Sequence, residues 1–210
     1  MTVDAVLFDL GQVLVRWDPW LPFRGRHPEA DVRRFFDEVD FAAFNHRQDA
    51  GRPWAEARAE LEATHPQHVG LLDVYVEHFA EAVPGPVEGA DALVDDLRAA
   101  GVRVLGLTNW SAETFHVAPT TAPVVGRLED VLVSGREGLA KPDPRIFGLA
   151  TRRFGLDPAR TLFTDDAPVN VDAAARAGFR TELFTSHDAL RGTLRALGVE
   201  VPASPRAPGT

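Results

Sequence analysis

Four amphipathic stretches in the later part of the chain each stop at a glycine, and short apolar runs lie between them. Residues 90–100 carry Leu93, Val94 and Leu97 on one helical face and stop at Gly101. Residues 145–154, 169–177 and 189–197 stop at Gly155, Gly178 and Gly198. Glycine most readily takes the left-handed conformation that closes a helix. The apolar runs fall at 5–8, 102–107, 131–133, 162–163 and 181–184. The continuous run at 5–8 reads as a buried strand, and the others are comparable. Their alternation with helices predicts an α/β fold with a Rossmann-like parallel sheet at its core.

One spacing breaks the alternation. The first two runs stand about ninety residues apart, where a parallel crossover needs roughly a dozen. The intervening stretch has its own helical patterns at 31–44, 54–63 and 69–82, and it ends at Pro84-Gly85-Pro86. That tripeptide is a stiff turn suited to a hinge. The expected organisation is a core of residues 1–15 and 86–201 with an inserted helical cap domain at 16–85. Residues 202–210, rich in Pro, Ala and Gly, read as a disordered tail.

Charge and composition narrow the function. The chain has 22 basic and 31 acidic residues, a net charge of -9. Such a surface repels nucleic acid and anionic lipid, so neither is an expected partner. A phosphorylated ligand would need local positive charge to enter against this field. The absence of cysteine excludes disulfides and thiolate metal sites. The first residues lack the basic region of a signal peptide, and no apolar run approaches the ~20 residues of a membrane span. A cytoplasmic location is the expectation.

In an open parallel sheet, ligands bind outside the carboxyl ends of the strands. The polar residues that follow each apolar run are therefore the candidates. They are Asp9 after the first run, Thr108 and Asn109 after the second, Lys141 in the loop beyond the third, and Asp165 and Asp166 after the fourth. Three carboxylates at one edge repel one another unless a cation joins them. Oxygen ligands without nearby His or Cys suit magnesium. A carboxylate is also a competent nucleophile toward a phosphoryl group. Taken singly, each residue has an ordinary reading: Asp9 as a turn cap, Asp165-Asp166 as a helix cap, Lys141 as a solvated lysine. Their convergence on one edge carries the functional reading.

The segments Phe-Asp9-Leu-Gly-Gln-Val-Leu, Leu-Thr108-Asn-Trp-Ser, Leu-Ala-Lys141-Pro-Asp-Pro and Phe-Thr-Asp165-Asp166-Ala-Pro-Val-Asn170 resemble the four ordered motifs of the haloacid dehalogenase-like superfamily. The likeness is nearest to its phosphatase branch, which includes sugar-1-phosphate phosphatases and the N-terminal domain of soluble epoxide hydrolases. The resemblance implies that Asp9 is a nucleophile that also ligates Mg2+. It implies a second ligand in the Gly11 carbonyl. Thr108 and Asn109 would bind the phosphoryl oxygens, and Lys141 would neutralise Asp9 and the phosphate. Asp166 would ligate the metal, with Asp165 as ligand or supporting partner and Asn170 at the position that orients the metal's waters. The substrate would be a small phosphorylated metabolite.

One departure stands out. Most phosphatases of the superfamily carry a second aspartate two residues after the nucleophile, and this chain has Gly11 there. That residue gives the leaving group its proton, help worth about 10²–10⁴-fold. His46 or Asp49 from the insert, or a leaving group that needs little help, are the open substitutes. Trp17, Trp20 and Trp110 read as pocket walls or as core, and His116 as a surface residue within reach of the site. The competing functions are a 2-haloacid dehalogenase and a non-catalytic protein that keeps the fold.

Overall fold

A computed structural model describes residues 2–202. In chain order its strands are β1 (Ala5–Phe8), β2 (Val15–Arg16), β3 (Gly85–Pro86), β4 (Arg103–Thr108), β5 (Val131–Val133), β6 (Thr161–Asp165) and β7 (Arg180–Leu183). Its helices are α1 (Glu29–Val39), α2 (Phe41–Asp49), α3 (Trp54–Thr64), α4 (Val69–Glu77), α5 (Ala90–Ala99), α6 (Ala118–Thr121), α7 (Ser134–Glu137), α8 (Pro144–Phe154), α9 (Pro168–Arg176) and α10 (His187–Ala196).

Five strands form one parallel sheet in the order β5–β4–β1–β6–β7. β1 lies at its centre, with Val6 opposite Val104 on one side and Leu162 on the other. All four β1 residues are buried, as a strand covered on both faces requires. Leu7, Leu105, Leu132, Ile146, Phe147 and Phe163 fill one face, and Val6, Phe8, Val104, Leu93 and Val94 belong to the core on the other. Each such side chain taken from water contributes about 1.5–3 kcal/mol. The residues that follow β1, β4 and β6 are therefore set at one edge by the best-buried part of the chain.

Helices α1–α4 fall between β2 and β3, which pair antiparallel as a separate ribbon, Val15 with Pro86 and Arg16 with Gly85. Two-residue strands carry no periodic signal, so the sequence gives no hint of this ribbon. The pattern over 31–44 predicts one helix, but two are found. The break is Asp40, in the left-handed region at φ 47°. Its carboxylate accepts a hydrogen bond from the Ala43 N–H at 3.4 Å and so caps α2. α2 then runs on to Asp49. The pattern over 69–82 is also shorter than expected. α4 ends at Glu77 and a tighter turn, Phe79–Ala82, buries Phe79 and Ala82.

The helical insert packs its aromatic residues together and then onto the sheet layer. Phe36 stacks on Phe41 at 4.3 Å, Tyr75 meets Phe79 edge-on at 5.6 Å, and Phe79 meets Trp110 at 6.1 Å. Polar ties accompany the contact. The Trp54 N–H at the start of α3 donates to Glu113 at 2.9 Å. Ser134 Oγ donates to the Asp49 carbonyl at 2.5 Å.

The end of α2 sits close against α7. A Cβ on Gly135 would lie 2.5 Å from the Ala112 nitrogen and 2.7 Å from the Trp110 oxygen, both backbone atoms that cannot yield. Gly135→Ala is therefore expected to destabilise the protein by about 1–3 kcal/mol through overpacking. Gly126→Ala, where the new methyl meets nothing within 4 Å, is the control and should change stability by less than about 0.5 kcal/mol. Thermal melting of the two variants checks this.

Candidate active site

The chain turns sharply after β1. The Asp9 N–H donates to Thr164 O at 2.9 Å and continues the sheet pairing by one residue. The next turn folds tightly, with the Leu14 and Val15 N–H groups donating to Leu10 O at 2.9 and 2.8 Å. Gln12 takes φ 57° within this turn, and its side chain donates to Trp17 O at 2.8 Å. Thr108 ends β4, and Asp165 ends β6, so both belong to the sheet itself. Lys141 precedes a cis peptide bond to Pro142.

These turns meet at Lys141. Its ammonium, 1% exposed, lies 2.8 Å from Asp9 Oδ1 and 2.6 Å from Asp165 Oδ2. An unpaired ammonium at such depth would be strongly disfavoured, and two carboxylates compensate it. Those carboxylates hold its pKa above the ordinary lysine value, although burial alone acts the other way. Asp165 is fully buried and well satisfied. It accepts from Lys141, from Asn170 Nδ2 at 3.1 Å and from the Ala167 N–H at 2.9 Å. Burial pushes the Asp9 carboxyl up to about 7, the nearby Asp165 adds to this, and Lys141 opposes it. Asp166 stands on the exposed side, its carboxyl raised by partial burial and by Asp165.

Asp9, Asp165 and Asp166 each offer a carboxylate oxygen within 4.8 Å of the others. Three negative charges with one ammonium leave a deficit that a divalent cation would balance. An all-oxygen donor set suits a hard cation.

Asn109, expected to bind the phosphoryl oxygens, is held against the Lys141 backbone. Its carboxamide accepts from the Lys141 N–H at 2.8 Å and donates to the Lys141 carbonyl at 2.9 Å. The amide thus pairs with the Lys141 backbone much as a neighbouring strand would, and it positions the lysine. Gly11 flanks Asp9 on the other side. A Cβ there would meet Asp9 Oδ2 at 3.9 Å, an ordinary contact.

A cavity of about 100 Å³ opens beside Gly11 and Asn109. Trp17, Trp54, Phe79 and Trp110 form its apolar walls, and Asn45, Asp49, Ser111 and Thr114 complete it. Trp17 and Trp110 are thus both wall residues, and Trp110 is also buried core. Trp20 packs edge-on to Phe36 at 4.7 Å and does not line this cavity. His46 and His116 are exposed and are likewise not among its lining residues. Trp54 and Phe79 were not singled out by the sequence, because apolar positions on a helix read first as core. Ser111 and Thr114 carried a usable signal, since they lie just beyond Thr108-Asn109.

A family model for haloacid dehalogenase-like hydrolases matches residues 3–178. Validoxylamine A 7'-phosphate phosphatase of Streptomyces hygroscopicus subsp. limoneus is 30% identical over 149 residues, 68% of this chain and 70% of that protein. Acyl-CoA dehydrogenase family member 10 of Mus musculus is 37% identical over 91 residues, 42% of this chain, and the matched stretch spans 8% of the mouse protein. The magnesium complex of a HAD family enzyme from Bacteroides thetaiotaomicron superposes with a TM-score of 0.72 at 22% identity, covering 93% of this chain and 100% of that one. At that identity the likeness speaks to the fold.

The raised Asp9 carboxyl has a consequence for stability. Its folded-state value is about 7 against an ordinary 3.8. The folded chain keeps a proton there that the unfolded chain releases, so this contribution is full below the unfolded value and is lost as pH rises through the folded one. Denaturant unfolding in the presence of chelator should show lower stability at pH 8 than at pH 5 from this source. Asp9→Asn, which cannot ionise, should flatten that slope.

Proposed function

The chain belongs to the haloacid dehalogenase-like hydrolases, and from that membership we propose that it is a magnesium-dependent phosphatase that hydrolyses a small phosphorylated metabolite through an aspartyl-phosphate on Asp9. The observation that carries this reading is the buried ammonium of Lys141 between Asp9 and Asp165, with Asp166 completing a cluster of three carboxylates. That arrangement brings one ammonium and the oxygen ligands for a cation together where a phosphoryl group would sit.

In this reading Lys141 holds Asp9 Oδ1, and Oδ2, on the Gly11 side where the cavity opens, attacks phosphorus. The bond from phosphorus to the leaving oxygen breaks as the aspartyl-phosphate forms. Water then attacks the same phosphorus and returns the Asp9 carboxylate and inorganic phosphate. The Thr108 hydroxyl and the Lys141 ammonium bind the phosphoryl oxygens, because phosphoryl transfer depends mainly on positioning and charge stabilisation. Asn109 keeps the lysine in place through its backbone. Mg2+, held by Asp9, Asp166 and the Gly11 carbonyl with Asp165 in support, would supply the positive charge that offsets the substrate's phosphate.

The helical insert, residues 16–85, acts as a cap over this edge. Its Trp17, Asn45, Asp49, Trp54 and Phe79 form much of the cavity beside Gly11. The small volume and aromatic walls favour a compact leaving group with apolar faces, as a sugar ring has. Closing such a site excludes bulk water and strengthens its electrostatics.

Phosphate release from p-nitrophenyl phosphate and a panel of sugar phosphates tests the proposal. Release is expected with Mg2+ and should vanish with chelator. Asp9→Asn, nearly isosteric, should keep the fold and lose on the order of 10⁴-fold or more in turnover. Full turnover by that variant would remove Asp9 as nucleophile. No phosphate release from any compound would turn attention to halide displacement from carbon.

A further inference from the structure

We propose that Asp49, carried on the last turn of α2, is the acid that protonates the leaving oxygen and then the base that takes a proton from the attacking water. The inference rests on the phosphatase reading and extends it to a residue outside the strand-end motifs.

An alkoxide is a poor leaving group, so the departing oxygen needs a proton as its bond to phosphorus breaks. Lys141 is unsuited to give one, since it stays charged between two carboxylates. Gly11, the residue of the β1 turn that faces the cavity, has no side chain to donate. Among the described residues lining the cavity, Asp49 is the only one with a titratable side chain. It lines the same cavity as Gly11 and Asn109, where a leaving group bound against the aromatic walls would lie.

The position is built rather than incidental. Ser134 Oγ donates to the Asp49 carbonyl at 2.5 Å and accepts from the Trp110 N–H at 2.9 Å, which fixes the end of α2 to the β4 and β5 turns. Asn45 Nδ2 donates to Asp49 Oδ2 at 3.1 Å, orienting the carboxyl group. The surroundings also suit an acid. Burial pushes the Asp49 carboxyl up to about 7, the Ser111 N–H and Lys141 opposing and Asp9 adding to it. A carboxyl so placed holds a proton near neutral pH and gives it up readily.

The steps balance. Asp9 Oδ2 bonds to phosphorus, the bond from phosphorus to the leaving oxygen breaks, and the Asp49 proton passes to that oxygen. Asp49, now a carboxylate, takes a proton from water as the water oxygen attacks the aspartyl-phosphate. Asp9 and phosphate are released, and Asp49 is again protonated.

The test compares leaving groups. Asp49→Asn is assayed on p-nitrophenyl phosphate, whose phenolate departs unaided, and on an alkyl phosphate such as glycerol phosphate, whose alkoxide does not. Release of the leaving group in a single turnover, which reports formation of the aspartyl-phosphate, should slow by about 10²–10⁴-fold for the alkyl phosphate and by less than about tenfold for the aryl phosphate, while the hydrolysis that follows, common to both, should slow equally. Retained aryl release also reports that the site is folded, and Asp49→Ala, which leaves no amide to mimic the carboxyl, should give the same split. Equal slowing of leaving-group release from both substrates in protein of unchanged melting temperature, or no slowing of either, would overturn the inference and leave the phosphatase reading standing. If the unaltered chain releases phosphate from neither substrate, both fall together.

Discussion

A lysine ammonium withdrawn from water is tolerated only where negative charge meets it, and Lys141 meets two carboxylates at once. The central strand supplies one and its neighbour β6 supplies the other. Because the ammonium spans both, the ends of β1 and β6 and the loop beyond β5 are held in one arrangement, and Asn109 adds the end of β4 through its pairing with the Lys141 backbone. The sheet thus sets the height of each residue, and one buried cation sets their spacing. Remove the cation and two carboxylates face each other in a dry place with nothing between them.

That same dryness divides the carboxylates by role. Asp165 is surrounded by donors and has little left to offer a ligand, so it serves as an anchor. Asp9 has one oxygen held and one on the open side. Asp166 faces solvent. Asp49 has fewer donors about it, and its carboxyl is held well above the ordinary aspartate range. Four aspartates differ in chemistry only through what surrounds each one.

The core was legible in the sequence because its signals are local. A four-residue apolar run with turn residues after it reads as a covered strand, and a helix that stops at glycine announces its own end. The strand-end rule named Asp9, Thr108, Asn109, Lys141, Asp165 and Asp166, of which Asp9, Lys141, Asp165 and Asp166 lie together in the structure. The insert was less legible, for equally physical reasons. Asp40 breaks a helix that its neighbours' apolar spacing would continue, since an aspartate can adopt the left-handed conformation and cap the next helix in the same step. The β2–β3 ribbon is too short to leave a pattern. The cavity walls come from residues distant in the chain, of which Trp17 and Trp110 read as wall or core and Trp54 and Phe79 only as core. The pairing of the Asn109 side chain could not be read from sequence, because its partner is a backbone 32 residues away.

The Asn109–Lys141 pairing has one more implication. The Lys141 amide hydrogen lies in a loop, where exchange with solvent is ordinarily fast, yet it is bonded to a side-chain carbonyl at 2.8 Å. Opening that bond requires the carboxamide to release a backbone whose side chain is itself held between two buried carboxylates. The amide should therefore exchange on the slow timescale of the central strands, so that a loop behaves, by the clock of hydrogen exchange, as a sixth strand of the sheet.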